Sequence, residues 1–263
     1  MEFINNWLRS LPDDGRSLYG LAGGIGIGLM ILVVVCYLIR MKVKPLDALK
    51  GVIIAAIAYF FCIYAHRFLL WYQVDFDINR YFDSTANLAV GFTLLPFVAW
   101  LCSKTFNVSQ GFSGDITALA LLGFHVIGRS GCVFTGCCYG FPCSWGLFSH
   151  QTDTNHFPVC IVESLFTLGI LIYLFVRICR KGYVPDGKNL PYMLLLYGGL
   201  RFISEFTRES TNQQWLFWRF SDVHIHMLLM VLVGALTLYL NLRRTKAAEV
   251  GEEPLPELKA QRR

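Results

Sequence analysis

Apolar stretches of membrane-crossing length constrain this chain more than any other feature in it. The hydrocarbon core of a bilayer takes about 20 mostly apolar residues per helix, with roughly 17–25 as the usual range. Such runs extend from Tyr19 to Ile39, from Val52 to Tyr72 with a late interruption at His66 and Arg67, and from Val159 to Ile178 behind Pro158. Another begins after Ser113-Gly114-Asp115, read as its N-cap, and continues through Ile127 towards Phe134. A further run covers Ile225 to Leu242, and two weaker ones cover Asn87 to Cys102 and Leu190 to Phe206. The pattern predicts an all-α integral membrane protein with seven transmembrane helices.

The basic residues test that count. With seven spans, the connections after helices one, three and five share a side with the C-terminal tail. That side holds fifteen Lys/Arg, among them Arg40, Lys104, Arg177 and Arg243, and the other holds Arg9, Arg16, Arg80, Arg208 and Arg219. Such a bias predicts an outside N-terminus and a cytoplasmic C-terminus. Removing one weak helix would mix the two sets. Composition agrees: 55% of residues are apolar before the 23 glycines are counted, against about 45–50% with glycine for soluble domains. Only 16% are charged and the net charge is +5. Disorder, a coiled coil, a nucleic-acid module and almost any soluble enzyme are excluded, and no nucleic-acid partner is expected.

Residues 1–242 are read as one seven-helix domain with an outer loop at 135–157, rich in Gly, Cys, Trp and His. Loops of that length in a compact domain are usually functional or disordered, and this composition argues against disorder. Residues 243–263 are charged and read as a disordered or surface cytoplasmic tail. The N-terminus shows no cleavable signal pattern, so the first membrane helix is expected to direct insertion.

Arginine within a membrane costs about 2.5–3.5 kcal/mol on insertion scales and therefore needs a reason. Arg129 ends the fourth helix in His125-Val126-Ile127-Gly128-Arg129-Ser130-Gly131, and Arg201 lies in the sixth beside Tyr197, Glu205 and Arg208. Guanidinium groups hold phosphate in bidentate geometry, so two of them near headgroup depth suggest a pocket for a phospholipid headgroup. The competing account is structural: Arg201 and Glu205 stand i,i+4, and Glu163 is available to Arg129. Arg67, near a helix end, reads as a snorkelling side chain. Gly128, Gly131, Gly136 and Gly140 punctuate a stretch that leaves the helix and turns back, as a backbone wrapping an anion requires.

These residues resemble the signature of the prolipoprotein diacylglyceryl transferase family, Gly-Arg-x-Gly-Asn-Phe-x-Asn-x-Glu followed by a further glycine. Gly128-Arg129-Ser130-Gly131 with Phe134, Gly136 and Gly140 carries the match. Tyr19-Gly20 resembles the family's Tyr-Gly, Pro158 with Glu163 its His-Pro-x-Gln-x-Tyr-Glu, and Tyr197-Gly198 with Arg201, Glu205 and Arg208 its Tyr-Gly-x-x-Arg, Glu and Arg run. Four motifs in order cover most of the chain. The departures are Cys132 for the signature asparagine, Cys137 for its acidic residue, Cys160 for the glutamine, and Ala89 where the family has histidine.

The resemblance implies transfer of a diacylglyceryl group from phosphatidylglycerol to the cysteine thiol of a secreted prolipoprotein, releasing glycerol phosphate, in the bacterial cytoplasmic (inner) membrane. By it, Arg129 and Arg201 stabilise the leaving phosphate, and Tyr19, Gly128, Gly131, Cys132, Gly140 and Tyr197 surround the lipid together with Arg208. Glu163 and Glu205 orient the arginines. The base is open between His125, His156 and one of His224 and His226, which sit on opposite helix faces. No cofactor is expected. The C-x4-C-C-x4-C cluster of Cys132, Cys137, Cys138 and Cys143 spaces poorly for zinc, lacking the usual C-x2-C pair. A disulfide, a covalent nucleophile and simple packing all stay open for it. Two other classes remain beside the transferase: the same lipid donor with a different outer-face acceptor, and a non-catalytic lipid-binding or transport protein.

Overall fold

A computed structural model describes residues 2–11, 16–71, 88–136, 138–209, 215–217 and 220–249. Cys137 and the side chains of Arg67 and Ala89 lie outside the described residues. The elements run α1 (Glu2–Arg9), α2 (Arg16–Arg40), α3 (Pro45–Trp71), α4 (Leu88–Phe106), α5 (Gln110–Ser130), α6 (Cys132–Thr135), β1 (Pro142–Ser149), β2 (Thr154–His156), α7 (Val159–Cys179), α8 (Asn189–Glu205), β3 (Trp215–Phe217), β4 (Phe220–Ser221) and α9 (Asp222–Glu249). Each of the seven apolar runs falls on a helix over its described residues.

Five of the described helices are long and apolar enough to cross a membrane: α2, α3, α5 extended through α6, α7 and α9. The expected third and sixth spans are shorter. Helix α4 has 19 residues, and α8 has 17, a rise of about 25 Å for α8 against a hydrocarbon core of about 30 Å. The crossing helices turn leucine and isoleucine outwards, as Ile31, Leu32, Leu165, Ile172, Leu232 and Leu236 show by their exposure. Aqueous solvent would penalise such a surface, and lipid does not.

Central to the bundle is α5, whose membrane-length window is 67% buried against 22–44% for the other four. It packs on α2, α3, α4, α7 and α8, while α9 lies against α8 and α4. Close approach of α2 to α5 depends on Gly26, where a Cβ would stand 2.9 Å from the Phe124 carbonyl oxygen. The helix begins at Gln110, ahead of the expected start, because Ser109, not the Ser113 segment, caps it by accepting from the Phe112 amide at 3.1 Å. Ser113 instead donates to the Ala99 carbonyl of α4 at 2.9 Å. At the other end of the chain, α9 runs to Glu249, so the expected tail starts as helix.

Asp115, one turn into α5, is fully buried. Three donors meet it: Tyr37 of α2 at 3.0 Å, Tyr183 of the α7–α8 connection at 2.7 Å and Asn189 of α8 at 2.8 Å. Arg177 pairs with Asp186 at 2.5 Å and donates to Asn189. Burial and the facing Asp115 carboxylate push the Tyr183 phenol well above its ordinary pKa, so it stays a donor. Arg40 reaches the Cys179 carbonyl at 3.1 Å, and Arg244 reaches Gln110 at 2.6 Å. The ends of α2, α7 and α9 therefore meet the starts of α5 and α8 on one side of the molecule.

The expected outer loop is not irregular. It folds into an antiparallel β1–β2 hairpin with an irregularity between Pro142 and Leu147, and Asn5 of α1 pins it by bonds to Gly146 and Phe148. Asp115→Ala leaves buried donors on three elements without their acceptor, at about 1–3 kcal/mol for each unsatisfied group. A lowered melting temperature in detergent is expected, with a smaller drop for Asp115→Asn.

Candidate functional site

About 21 Å along α5 from Asp115, at 1.5 Å per residue, the helix ends in Arg129. A guanidinium at the end of a buried helix must find an acceptor, and α7 supplies one. Glu163, 3% exposed, takes the Arg129 Nε at 2.5 Å on Oε2 and the Arg201 Nη1 of α8 at 2.8 Å on Oε1. Ser204 adds a hydroxyl donor to the same Oε1 at 3.0 Å. Arg201 also pairs with Glu205 at 2.5 Å. Both structural pairings anticipated from the sequence are therefore present, and Glu163 links them by serving Arg129 and Arg201 together.

The pairing does not exhaust the positive charge. Arg208 brings its Nε to 3.8 Å from both Glu163 and Glu205, giving three guanidiniums over two carboxylates. Its side chain is only 9% exposed, yet its Nε and Nη2 make no hydrogen bond among the described residues. Burial and the nearby Arg129 oppose its charge, while Glu163 and Glu205 favour it, and its pKa ends above the ordinary guanidinium value. The cluster is a buried, permanently cationic site with unused donors.

A backbone strap places Arg208 there. Gly140 and Arg208 form an antiparallel bridge, with the Phe141 amide on the Thr207 carbonyl at 3.0 Å and the Glu209 amide on Tyr139 at 3.3 Å. Gly140 is required by this approach: a Cβ would lie 2.7 Å from Val159 and 2.8 Å from the Thr207 oxygen. Its contribution is close packing of the strap. Of the other signature glycines, Gly136 takes φ +61, whereas Gly131 has ordinary helical φ −57. Gly131 is there because α2 passes close, with Ala22 at 2.9 Å and the Tyr19 ring at 3.3 Å from its Cβ position. Gly128 sits in the last turn of α5, beneath the Phe124 ring.

The remaining expected residues divide by distance from the charge. His125 and Tyr197 are brought together, Nε2 to hydroxyl at 2.8 Å, both buried and edge-on to Phe92 or each other. Tyr197 lines a narrow crevice between α7 and α8 with Glu163, Phe166, Leu200, Arg201 and Ser204. On the other side, Cys132, Cys138, Tyr139, Phe157, Pro158 and Cys160 line a second crevice under the hairpin. Tyr19, on the exposed face of α2, lies beside Gly131. His156 is tied by Nδ1 to Gly140 and by Nε2 to Thr152 and Thr154, a structural role. His224 is buried against Ser221, and His226 is not, as their opposite faces required.

Ser204 and the convergence of Cys138 with Cys160 were not singled out from the sequence. Ser204 carried a signal: Arg201, Ser204, Glu205 and Arg208 have i, i+3, i+4, i+7 spacing, a single helical face. No such local periodicity links Cys160 to Cys138.

The profile of the family described as prolipoprotein diacylglyceryl transferase matches residues 16–240. Two relatives named phosphatidylglycerol–prolipoprotein diacylglyceryl transferase, from Dehalococcoides mccartyi strains 195 and BAV1, are each 26% identical to the chain over 121 and 122 residues. Each match covers 43% of this chain and 46% of the relative, so the chain spans about half the length of the relatives it matches.

Removing one partner of a buried ion pair costs about 3–5 kcal/mol, because it strands the other. Glu163→Gln strands two arginines and is expected to lower the unfolding midpoint in detergent by that measure. Adding Arg201→Met should restore part of the loss.

Proposed function

The chain belongs to the prolipoprotein diacylglyceryl transferase family, and from that premise we propose that it moves the diacylglyceryl group of phosphatidylglycerol to the cysteine thiol of a secreted prolipoprotein. The observation that carries this reading is the surplus guanidinium of Arg208 beside Arg129 and Arg201. A buried cluster of three arginines over two carboxylates has one positive charge and free donors for an anion, and a phosphate supplies both charge and acceptors. The crevice between α7 and α8, lined by Phe166, Ile170 and Leu200 beside Arg201, suits the adjoining acyl chain.

In this mechanism the thiolate attacks the glyceryl carbon joined to the phosphate oxygen. A C–S bond forms, the C–O bond breaks, and the electron pair leaves on glycerol phosphate. Arg129, Arg201 and Arg208 hold that phosphate as its charge grows, the electrostatic contribution that fixed donors make best. Glu163 and Glu205 aim the arginines, and Tyr19, Gly128, Gly131, Cys132 and Gly140 shape the surrounding wall. His125 accepts the thiol proton by way of the Tyr197 hydroxyl, which lines the crevice in front of it.

The reading includes seven spans, with α4 and α8 crossing beside the five longer helices, an outside N-terminus and a cytoplasmic C-terminus. The Asp115 end, where Arg40, Arg177 and Arg244 gather, is then cytoplasmic, and the arginine cluster and hairpin face outwards in a bacterial inner membrane. Residues 1–242 form the membrane domain. A second reading keeps the donor and changes the acceptor, favoured by Cys132 and Cys160 standing beside Arg129 where the family signature has amides.

Incubating the purified protein with labelled phosphatidylglycerol and a lipobox peptide should release glycerol phosphate and lipidate the thiol; binding without turnover would defeat the enzyme reading. Arg129→Ala and Arg201→Ala are expected to lose about 100–1,000-fold in turnover, as removal of one oxyanion donor does elsewhere, with poor rescue by lysine. Arg208→Gln separates chemistry from folding: its Nε and Nη2 make no hydrogen bond among the described residues and its carboxylate contacts are long, at 3.8 Å, so turnover should fall with a smaller drop in melting temperature than Glu163→Gln shows. In a strain depleted of its own diacylglyceryl transferase, partial complementation is expected, with lipobox substrates used less efficiently than by members that keep the asparagine and histidine. Full rescue with normally lipidated prolipoprotein would exclude the altered acceptor.

A further inference from the structure

Cys132 at the start of α6, Cys138 after the Gly136 turn and Cys160 in the first turn of α7 belong to three separate segments. Their sulfurs all lie within 4.8 Å of one another. None of the three is in a disulfide. The spacing that looked poor for a metal involved Cys137 and Cys143; the fold instead recruits Cys160, 22 residues beyond Cys138. We propose that Cys132, Cys138 and Cys160 form a binding site for a thiophilic divalent cation of the zinc class, with one coordination position open to the crevice under the hairpin.

Geometry supports the assignment. Three sulfurs bound at about 2.3 Å around one ion stand roughly 3.8–4.0 Å apart, so closure takes side-chain adjustments of about an ångström or less. Tetrathiolate structural sites are closed, whereas three protein ligands leave a position for water or an added thiolate. Tyr139, Phe157 and Pro158 line the crevice onto which that position opens. They offer no competing carboxylate, which selects a soft cation over magnesium or calcium.

A cationic donor also faces the sulfurs. Three thiolates around a dication carry a net negative charge, and Arg129 Nη1 stands 3.6 Å from the Cys138 sulfur and 3.9 Å from that of Cys132. N–H donors directed at coordinating sulfurs are the outer contacts that orient ligands and set ligand basicity at metal sites. The same Arg129 holds Glu163 through Nε, so the metal would sit on the far side of that guanidinium from the carboxylate hub. The site stands on its own geometry, whether or not phosphatidylglycerol is the lipid donor.

The test uses full-length protein purified in detergent under inert atmosphere and loaded with Co2+ as the probe. One equivalent per chain is expected, with an intense sulfur-to-cobalt charge-transfer band in the near ultraviolet that Zn2+ displaces. Cys160→Ser should lose the band and most of the binding, while Cys143→Ser should keep both. Should Cys160→Ser fail to fold, the wild-type protein still decides the matter: Zn2+ should shield Cys132, Cys138 and Cys160 from alkylation mapped by mass spectrometry, while the exposed Cys179 still reacts. A shift of the cobalt spectrum on adding 2-mercaptoethanol would support the open position, and no shift would remove it. The proposal is overturned by cobalt uptake without a sulfur band, by an unchanged band in Cys160→Ser, or by a disulfide among the three cysteines in protein isolated without air. Turnover of lipid enters none of these readouts, so the metal site and the transferase reading fail independently.

Discussion

A glutamate with 3% of its side chain exposed, gripped by guanidiniums from two other helices, is the contact on which the hairpin-bearing half of this structure depends. Glu163 comes from α7, Arg129 from the end of α5, and Arg201 from α8. Each is costly to bury alone, and together they can be buried only if the three helices meet at one depth and one rotation. The pairing thus sets the relative placement of α5, α7 and α8 where apolar packing, which tolerates sliding, does not. It also holds the two arginines rigid, with their remaining donors directed by the same geometry. Fixed donors are what stabilise charge as it develops, since they need no reorganisation at the moment of reaction.

The opposite end of α5 is organised on the same principle with a single carboxylate. Asp115 gathers hydroxyl and amide donors from α2, α8 and the α7–α8 connection. Two polar clusters, one at each end of the most buried helix, bracket a stretch of apolar contacts such as Ile116, Leu119, Leu122 and Val126. In lipid, helices gain little from apolar contact with one another, so hydrogen bonds and close packing carry more of the specificity. The β1–β2 hairpin and the strap from Tyr139 to Glu209 then close over the Glu163 end. They bring Arg208 beside the hub and put the cysteines under a cover of Tyr139 and Phe157.

Much of the fold was legible in the sequence because hydrophobic length is additive along the chain. The runs from Tyr19, Val52, Ser113, Val159 and Ile225 are all helices long enough to cross a membrane. The two weaker runs are shorter helices, of 19 residues in α4 and 17 in α8, where Arg201 and Glu205 interrupt the apolar pattern. The N-cap of α5 was misplaced because Ser113 and Asp115 have capping chemistry; their side chains are spent instead on α4 and on the tyrosine cluster. The 135–157 segment read as a loop because the hairpin turns with an irregular register and little alternation of apolar residues.

The site divides in the same way. Which arginines needed an explanation was plain from the sequence alone, because a charge inside an apolar run is expensive wherever the helix points. That Glu163 serves Arg129 and Arg201 together, that Arg208 is left over, and that Cys160 joins Cys132 and Cys138 were decided by tertiary structure. Each residue turns the helix face by about 100°, and the strap and hairpin carry other side chains across segments of no regular period. Length, charge and local motif are properties of neighbours in the chain and can be read from it. A shared carboxylate or a cluster of sulfurs depends on the rotation and depth of separate helices, which only their mutual packing sets.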